Sequence, residues 1–254
     1  MPGLKIYENI PNNRYSYMTC LGKNKSLNIK TGDMSQISIL NLDRRPPQAV
    51  KDKVTKQICG SCPLQGAPCY VNTMTETSGY LSTYKLPVSK IPEKLDKAVR
   101  FGKYGDPAFL PRTVIKNIIK SLEAAGLKKA WTMYTHQWML KSNQDLKAWS
   151  MASVDKLSAK RSIRTLLFNK WGKTRAFKSA LNLKRHLNRL GWRTFRILEE
   201  GDKLDKNEIL CPNYTHGIQC ADCLLCSGTE GRGTVDIAIP LHGSMIGQKV
   251  YTKS

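Results

Sequence analysis

The sequence is poor in acidic residues: 19 Asp and Glu stand against 41 Lys and Arg, which gives a formal net charge of +22. It also lacks the motifs of the common nucleotide-dependent and metal-dependent enzymes. There is no G-x4-G-K-S/T phosphate loop, no G-x-G-x-x-G after a strand, no H-E-x-x-H and no His-x-His pair. The four histidines are scattered along the chain. ATP-driven and nicotinamide chemistry therefore have no support in the sequence.

The sequence shows neither a signal peptide nor a membrane-spanning run. Its first ten residues lack the charged and apolar regions of a secretion signal, and no apolar run approaches the length of a bilayer span. We therefore expect a cytoplasmic protein with no membrane partner. A hydrophobic content of 41% over 254 residues is enough for a proper core. In a reducing compartment, the eight cysteines favour metal binding over disulfides.

The excess of positive charge predicts a polyanionic partner. Nucleic acid, DNA or RNA, is the default interpretation, because neutralising phosphates releases counterions and so rewards dense Lys and Arg. The alternative is a merely basic surface in a host whose proteins are generally basic.

The excess is greatest between Lys156 and Arg196, where thirteen Lys and Arg occur without a single Asp or Glu. A solvated helix surface normally interleaves both signs, so this segment is predicted to track phosphates. The predicted nucleic-acid contacts are Lys160, Arg161, Arg164, Lys170, Lys173, Arg175, Lys178, Lys184, Arg185 and Arg189.

Four of the eight cysteines fall within sixteen residues. Cys220, Cys223 and Cys226 form a C-x2-C-x2-C run, and Cys211 stands upstream with a proline directly after it. Such a run suits the separate irons of a cubane cluster, as in bacterial ferredoxins, whereas zinc usually takes its thiolates from two C-x2-C knuckles. We predict a 4Fe–4S cluster here, with zinc as the alternative and free thiols or disulfides as the remaining interpretation.

A second cysteine loop contains Cys59, Cys62 and Cys69 in a C-x2-C-x6-C spacing rich in Gly and Pro. It predicts a cofactor site, iron–sulfur in preference to zinc, whose fourth position is filled by Cys20 or left open. A thioredoxin-type redox pair is the alternative. That motif follows a strand and opens a helix, whereas Pro63 and the glycines predict a loop.

Alternating strand and helix patterns predict an α/β fold, either a partial βα barrel or a mostly parallel sheet, with cysteine-rich metal-binding loops near both ends. The clearest helix has Pro111 at its first position, carries apolar residues at helical spacing and ends at Gly126. Strand-like runs occur at 36–40, 98–101, 130–135, 148–154, 192–198 and 235–240.

These patterns divide the chain into three parts. Residues 1–96 form an N-terminal region with the first cysteine loop. Residues 97–200 form the α/β core, which includes the basic helical segment 156–190. Residues 201–254 contain the second cysteine set and the last core strand.

Four polar residues follow predicted strands directly or within a short loop: Asp106, His136, Asp155 and His242. In parallel α/β architectures, the loops after the carboxyl ends of strands line the site, so we expect these residues to converge as candidate catalytic groups. The alternatives are helix N-caps for the two aspartates and structural roles for the two histidines.

The chain resembles a family of cysteine-rich proteins encoded by phages and other mobile elements. The matching stretches run nearly end to end and are specific when taken together. They include CGxCP at 59–63 with CYV at 69–71, RFGxYGDP at 100–107, YTHQW at 134–138, MASVD at 151–155, GWRTFR at 191–196 and CxxCxxC at 220–226.

More distantly, the layout is similar to that of radical-SAM enzymes, with a cysteine loop ahead of a partial βα barrel and a second cluster later in the chain. That resemblance implies that Cys59, Cys62 and Cys69 bind a cluster with one open iron, to which SAM would bind. It also implies an auxiliary cluster at the later cysteine set. The C-x3-C-x2-C loop of that superfamily is replaced here by C-x2-C-x6-C.

The sequence therefore predicts a phage-type iron–sulfur protein that acts on or with nucleic acid, with an enzyme of radical-SAM-like architecture as one form of this hypothesis. The alternative is a non-catalytic DNA- or RNA-binding protein with structural zinc or iron–sulfur sites. A redox-responsive binding module is a third interpretation.

Overall fold

The chain folds as an α/β protein built on two five-stranded, mostly parallel sheets. The computed structural model describes residues 3–9, 16–22, 28–65, 69, 71–161 and 177–241. Within these ranges the strands are β1 (Leu4–Asn9), β2 (Tyr17–Gly22), β3 (Ser35–Asn41), β4 (Val99–Tyr104), β5 (Trp131–Thr132), β6 (Tyr134–Thr135), β7 (Met151–Val154), β8 (Thr194–Leu198), β9 (Glu208–Leu210) and β10 (Asp236–Pro240).

The first sheet has the order β1-β2-β3-β4-β5 and the second has the order β6-β7-β8-β10-β9. Strands β1, β2 and β3 pair antiparallel, whereas β3, β4 and β5 pair parallel. Every pairing in the second sheet is parallel. Only Met133 separates β5 from β6, so the two sheets meet in one short stretch of chain. The predicted α/β class is confirmed.

Helices connect and cover the strands. They are α1 (Pro46–Lys51), α2 (Lys56–Cys59), α3 (Thr73–Thr83), α4 (Arg112–Ala124), α5 (Lys156–Arg161), α6 (Ala180–Arg189), α7 (Pro212–His216) and α8 (Cys220–Cys223). Short 3-10 helices occupy Pro107–Phe109, Gln137–Met139 and Lys141–Ala148. In the described part of the chain, no helix has both the length and the apolar character needed to cross a membrane.

Helix α4 forms where the sequence predicts it. Ile115, Ile118 and Leu122 are fully buried and pack in the main core with Phe101 of β4. Burying a side chain of this size stabilises the fold by about 1.5 to 3 kcal/mol. The helix begins at Arg112, one residue later than predicted, because the proline before it takes the extended cap position.

The two faces of the second sheet have different coverings. Successive residues of a strand point to opposite faces. On one face, Ala152 of β7 packs in the main core with Leu187 of α6. On the other face, Tyr134 of β6 and Phe195 of β8 pack with Cys226. The later cysteine set therefore lies against the face opposite α6.

Candidate metal centres

The four cysteines of the later set line a single pocket. Cys211 directly follows β9, Cys220 and Cys223 are the first and last residues of α8, and Cys226 lies three residues further on. The pocket is small and partly open to solvent. Its remaining lining is Thr132, Asn213, Ile218, Leu224 and Leu225.

Backbone hydrogen bonds from three separate parts of the chain hold these cysteines in place. The Cys211 N–H donates to the carbonyl of Ala238 in β10 at 2.8 Å, and the Cys226 carbonyl accepts from the Met133 N–H at 2.9 Å. The Cys220 N–H donates to the carbonyl oxygen of residue 30 at 3.0 Å. The set is therefore fixed to β10, to the residue between β5 and β6 and to the loop before β3.

Buried Arg193 clamps the loop that follows Cys226. Its guanidinium donates to the carbonyls of Leu225, Ser227 and Val235. A Cβ atom at Gly233 would lie 2.5 Å from the Arg193 Nη2 atom, so this close approach requires glycine. The sequence places Arg193 in the basic segment and gives no signal for this buried role.

Charges and hydrogen bonds adjust the chemistry of these thiols. Burial raises the pKa of the Cys220 and Cys226 thiols, and the neighbouring cysteines raise it further. The Arg100 guanidinium opposes this shift at Cys220, and a hydrogen bond from the Tyr134 hydroxyl opposes it at Cys226. Since a metal binds thiolates, these shifts oppose metal binding at Cys220 and Cys226, and the bound metal must displace any proton on their sulfurs.

The donor set fits a four-iron cluster by type and number. In the described part of the chain, no three His, Cys, Asp or Glu side chains are gathered closely enough to hold one metal ion. With a Zn–S distance of about 2.3 Å, the sulfurs around one zinc would lie about 3.8 Å from each other. A cubane cluster instead takes one thiolate at each iron, which spreads four sulfurs around a larger group.

A second group of thiols gathers at the carboxyl ends of β4 and β6. Cys59, at the end of α2, is near Cys62 and Cys69, and Cys62 hydrogen-bonds the ring of His136. Burial raises the pKa of the Cys59 and Cys69 thiols. Three predicted cofactor ligands and one predicted catalytic residue therefore form one cluster.

Buried Gln137 holds the first turn of this cysteine loop. Its side-chain oxygen accepts from the Ser61 N–H at 3.1 Å, and its side-chain nitrogen donates to the Cys59 carbonyl at 2.9 Å. Gly60 has φ of +54°, and a Cβ atom there would lie 2.4 Å from the Gln137 Oε1 atom. The position therefore requires glycine on both grounds.

Asp106 fixes the backbone at His136. Its carboxylate is buried and accepts from the Thr135 hydroxyl at 2.7 Å, the His136 N–H at 2.8 Å and the Ala108 N–H at 2.9 Å. The last of these bonds caps the 3-10 helix that follows. Since three donors already engage the carboxylate, this geometry favours the capping role that the sequence left open as an alternative.

Asp155 and His136 form a buried pair. The His136 Nε2 atom lies 3.2 Å from Asp155 Oδ2, and Ser158 donates to the same carboxylate from its hydroxyl at 2.6 Å and its N–H at 2.8 Å. Burial alone would lower the pKa of His136, but Cys62 and Asp155 together raise it well above its usual value. Asp106, His136 and Asp155 therefore converge, whereas His242 lies outside the described residues.

Tyr104 carries a buried hydroxyl on which this cluster acts electrostatically. The residue is 4% exposed, and its hydroxyl makes no hydrogen bond within the described ranges. Burial raises its pKa, and the charges of Cys59 and Cys69 raise it further. Sequence reasoning missed this residue and Gln137, although both lie in the motifs quoted above.

Cys20 belongs to neither group. It lies in β2, is buried, and its sulfur is 3.0 Å from the Thr83 hydroxyl of α3. The charged groups that act on it are Lys5 and Glu76 rather than another cysteine. We therefore correct the expectation that Cys20 supplies a fourth ligand.

The structure also changes the interpretation of the basic segment. Lys184 is buried and pairs with Asp236 at 2.9 Å and with Asp205 at 3.3 Å, so it does not reach phosphate. Arg185 is half-exposed and pairs with the same Asp205 at 2.7 Å. Acidic residues after position 198 therefore neutralise charges that are uncompensated within the segment itself.

The other predicted nucleic-acid contacts divide into two groups. Lys178 and Arg189 are exposed, and Arg189 ends α6. The side chains of Lys160 and Arg161 lie outside the described part of the structure, as do the whole residues Arg164, Lys170, Lys173 and Arg175.

Comparisons with known proteins do not assign the chain to a family. No family model, curated protein or solved structure matches it. The resemblance to phage-encoded cysteine-rich proteins and to radical-SAM barrels remains an expectation from motifs. The functional argument therefore depends on the two cysteine groups.

Proposed function

We propose that this protein is an iron–sulfur protein in which Cys211, Cys220, Cys223 and Cys226 hold a 4Fe–4S cluster. The observation that carries the proposal is the shared pocket, which brings together four thiols from β9, α8 and the following loop. Four thiolates are the ligand set of such a cluster.

The surrounding residues suit a negatively charged cluster. Arg100, Arg193 and Arg232 each act electrostatically on one cysteine of the set. The Tyr134 hydroxyl donates to the Cys226 sulfur. A bound cluster would supply one-electron transfer, and these hydrogen bonds and charges would set its reduction potential.

The proposal extends to a nucleic-acid partner on the strength of charge alone. The net charge of +22 already counts every Asp and Glu, so ion pairs within the chain do not reduce it, and Lys178 and Arg189 remain exposed. One form is an enzyme of radical-SAM-like architecture acting on nucleic acid. The alternative is a non-catalytic nucleic-acid-binding protein in which zinc or iron–sulfur sites are structural.

Metal analysis of protein purified without oxygen tests the cluster. We expect iron, acid-labile sulfide and the visible absorbance of thiolate-to-iron charge transfer. The Cys223→Ser variant should lose this iron, whereas the control Cys20→Ser, which removes a buried cysteine outside both groups, should retain it. A colourless wild-type protein with one zinc in the pocket, or equal iron in both variants, would contradict the proposal.

The nucleic-acid partner is tested through the salt dependence of binding. Replacing Lys178 and Arg189 by Ser should weaken binding and reduce the slope of log K against log salt by about 1 for each lost phosphate contact. A matched control replaces the exposed residues Lys51 and Lys90 outside the segment. If both double variants weaken binding equally, only the overall charge matters. If the wild-type protein does not bind nucleic acid, the proposed partner is wrong.

A further inference from the structure

We infer that His136 is the fourth ligand of a second metal centre, formed with Cys59, Cys62 and Cys69, and that Asp155 orients its ring. This centre is distinct from the four-cysteine pocket. The centre at His136 does not depend on whether the four-cysteine pocket holds a cluster.

The four candidate ligands come from separate parts of the chain and meet in one region. Cys59 ends α2, Cys62 and Cys69 lie in the loop after it, and His136 follows β6, more than sixty residues later. Cys62 hydrogen-bonds the His136 ring, Cys69 is near both, and Cys59 is near Cys62 and Cys69. Three thiols and one imidazole therefore occupy one buried region at the carboxyl ends of the strands.

Asp155 orients the imidazole of His136. The Nε2 atom faces Asp155, whose carboxylate Ser158 holds in place. Since a carboxylate accepts hydrogen bonds, Nε2 carries a hydrogen and donates it to Asp155. The atom left to bind a metal is Nδ1, which would exchange its contact with Cys62 for the metal. A ligating histidine normally donates its other N–H to a carboxylate or carbonyl in this way.

Buried hydrogen bonds also hold the backbone in place on both sides of the site. Asp106 receives the His136 N–H, and Gln137 grips the turn at Cys59. These contacts are buried, so they fix the positions of the imidazole and of the cysteine loop relative to each other. A metal site needs ligands held by such supporting contacts.

The Tyr104 hydroxyl also supports this site. A buried hydroxyl without a partner costs free energy unless something present in the functional state satisfies it. This hydroxyl has no hydrogen-bond partner within the described residues, and the Cys59 and Cys69 thiols act on it electrostatically. A metal-bound thiolate would supply the acceptor that it lacks.

The donor chemistry selects the class of metal. Three thiolates and one imidazole suit an iron–sulfur cluster by type and do not suit calcium or magnesium, which take oxygen ligands. A single zinc ion does not fit, since no three such side chains in the described part of the chain are close enough to share one ion. A histidine in the fourth position closes the site. It leaves no open iron for SAM, in contrast to what the radical-SAM resemblance implies.

The test measures metal in the full-length protein, purified without oxygen and supplied with either zinc or iron and sulfide. His136→Ala should lower the metal content of the protein by the amount that this centre binds, and His136→Cys should restore that amount. X-ray absorption should show a nitrogen neighbour in the wild-type protein that His136→Cys lacks. The control is His186→Ala, which changes a histidine that packs against Phe177.

Asp155→Asn tests the orienting role. It should bind metal about 10 to 100 times more weakly than the wild-type protein, without removing the nitrogen neighbour from the spectrum. A merely structural role for Asp155 would change the stability but would leave the metal affinity of the folded protein unaltered.

The outcomes separate the possibilities. Iron with sulfide at this centre supports the inference, whereas a single zinc ion there would overturn it. Unchanged metal content in folded His136→Ala, no nitrogen signal in the wild-type protein, or no metal lost with Cys59→Ser would overturn it. If His136→Ala does not fold, the wild-type spectrum decides. Metal lost with Cys223→Ser reports the other centre, so the two proposals fail independently.

Discussion

Replacing Glu208 with Gln would leave a buried guanidinium without its counter-charge. The side chains of Arg196 and Glu208 are 1% and 0% exposed, and their bidentate contacts measure 2.6 and 2.9 Å. Removing one partner of a buried pair costs about 3 to 5 kcal/mol. We expect a value near the lower limit, about 3 kcal/mol, because Asp202 also lies within 3.4 Å of Arg196.

The assay is urea and thermal unfolding followed by circular dichroism. For a chain of this size, about 3 kcal/mol corresponds to a decrease in Tm of roughly 6 to 12 °C. The double variant Arg196→Met with Glu208→Leu should recover most of this loss, since apolar residues of similar volume often replace a buried ion pair without cost. As a control, Arg185→Ala removes a half-exposed partner and should cost under about 1 kcal/mol.

Two results would refute this reasoning. Glu208→Gln could leave the free energy of unfolding within about 1 kcal/mol of the wild-type value, which would mean that water or Asp202 compensates the guanidinium. Alternatively, the double variant could be as unstable as the single variant. The loss would then come from packing between β8 and β9 rather than from an unpaired charge.

Three further predictions concern pH, backbone conformation and the sulfur environment. Arg185 and Lys184 hold the pKa of Asp205 well below its usual range, so its contribution to stability is present above about pH 4 and is lost as pH falls further. The midpoint of urea unfolding, measured against pH, should show this loss. Asp205→Asn should make that midpoint less dependent on pH. Gly60→Ala should reduce both the stability of the protein and its metal content. Gly79→Ala, in a helix with open space around it, should instead stabilise the fold by about 0.5 to 1 kcal/mol. Metal analysis and unfolding experiments on the two variants check this contrast. Tyr134→Phe removes the hydrogen bond to Cys226 and should lower the reduction potential of a cluster there, which a redox titration measures.

The sequence predicts the elements in which local pattern and packing agree. Helix α4 has a single apolar stripe that lies against the core, and its limits follow from a proline and a glycine. Strands β4, β7 and β8 overlap predicted runs in the same way, whereas the single predicted run 130–135 divides at Met133 into β5 and β6, which belong to different sheets. The placement of Asp106, His136 and Asp155 after strand ends follows from the general geometry of parallel sheets.

The sequence does not predict β1 and β2, because β2 is buried on both faces. Tyr17, Met18, Thr19, Cys20 and Leu21 are all buried, so the strand lacks the alternation that marks a half-exposed strand. The reading of Cys20 as a ligand has the same origin. A cysteine inside a two-sided strand is a packing residue, and only the sheet shows this.

The interpretation of the basic segment was limited by long-range pairing. Lys184 meets Asp236, and Arg196 meets Glu208, so each charge is balanced by a residue 12 or more positions away. Counting charges within a window cannot detect these pairs. The same holds for Arg193, whose carbonyl partners lie 32 or more positions away.

Strand β6 touches both cysteine groups. Tyr134 contacts Cys226, and His136, two residues later, contacts Cys62. Only one residue separates these two positions along the chain. Redox centres at the two groups would therefore be linked through one short segment, and an electron gained at one would make reduction of the other harder.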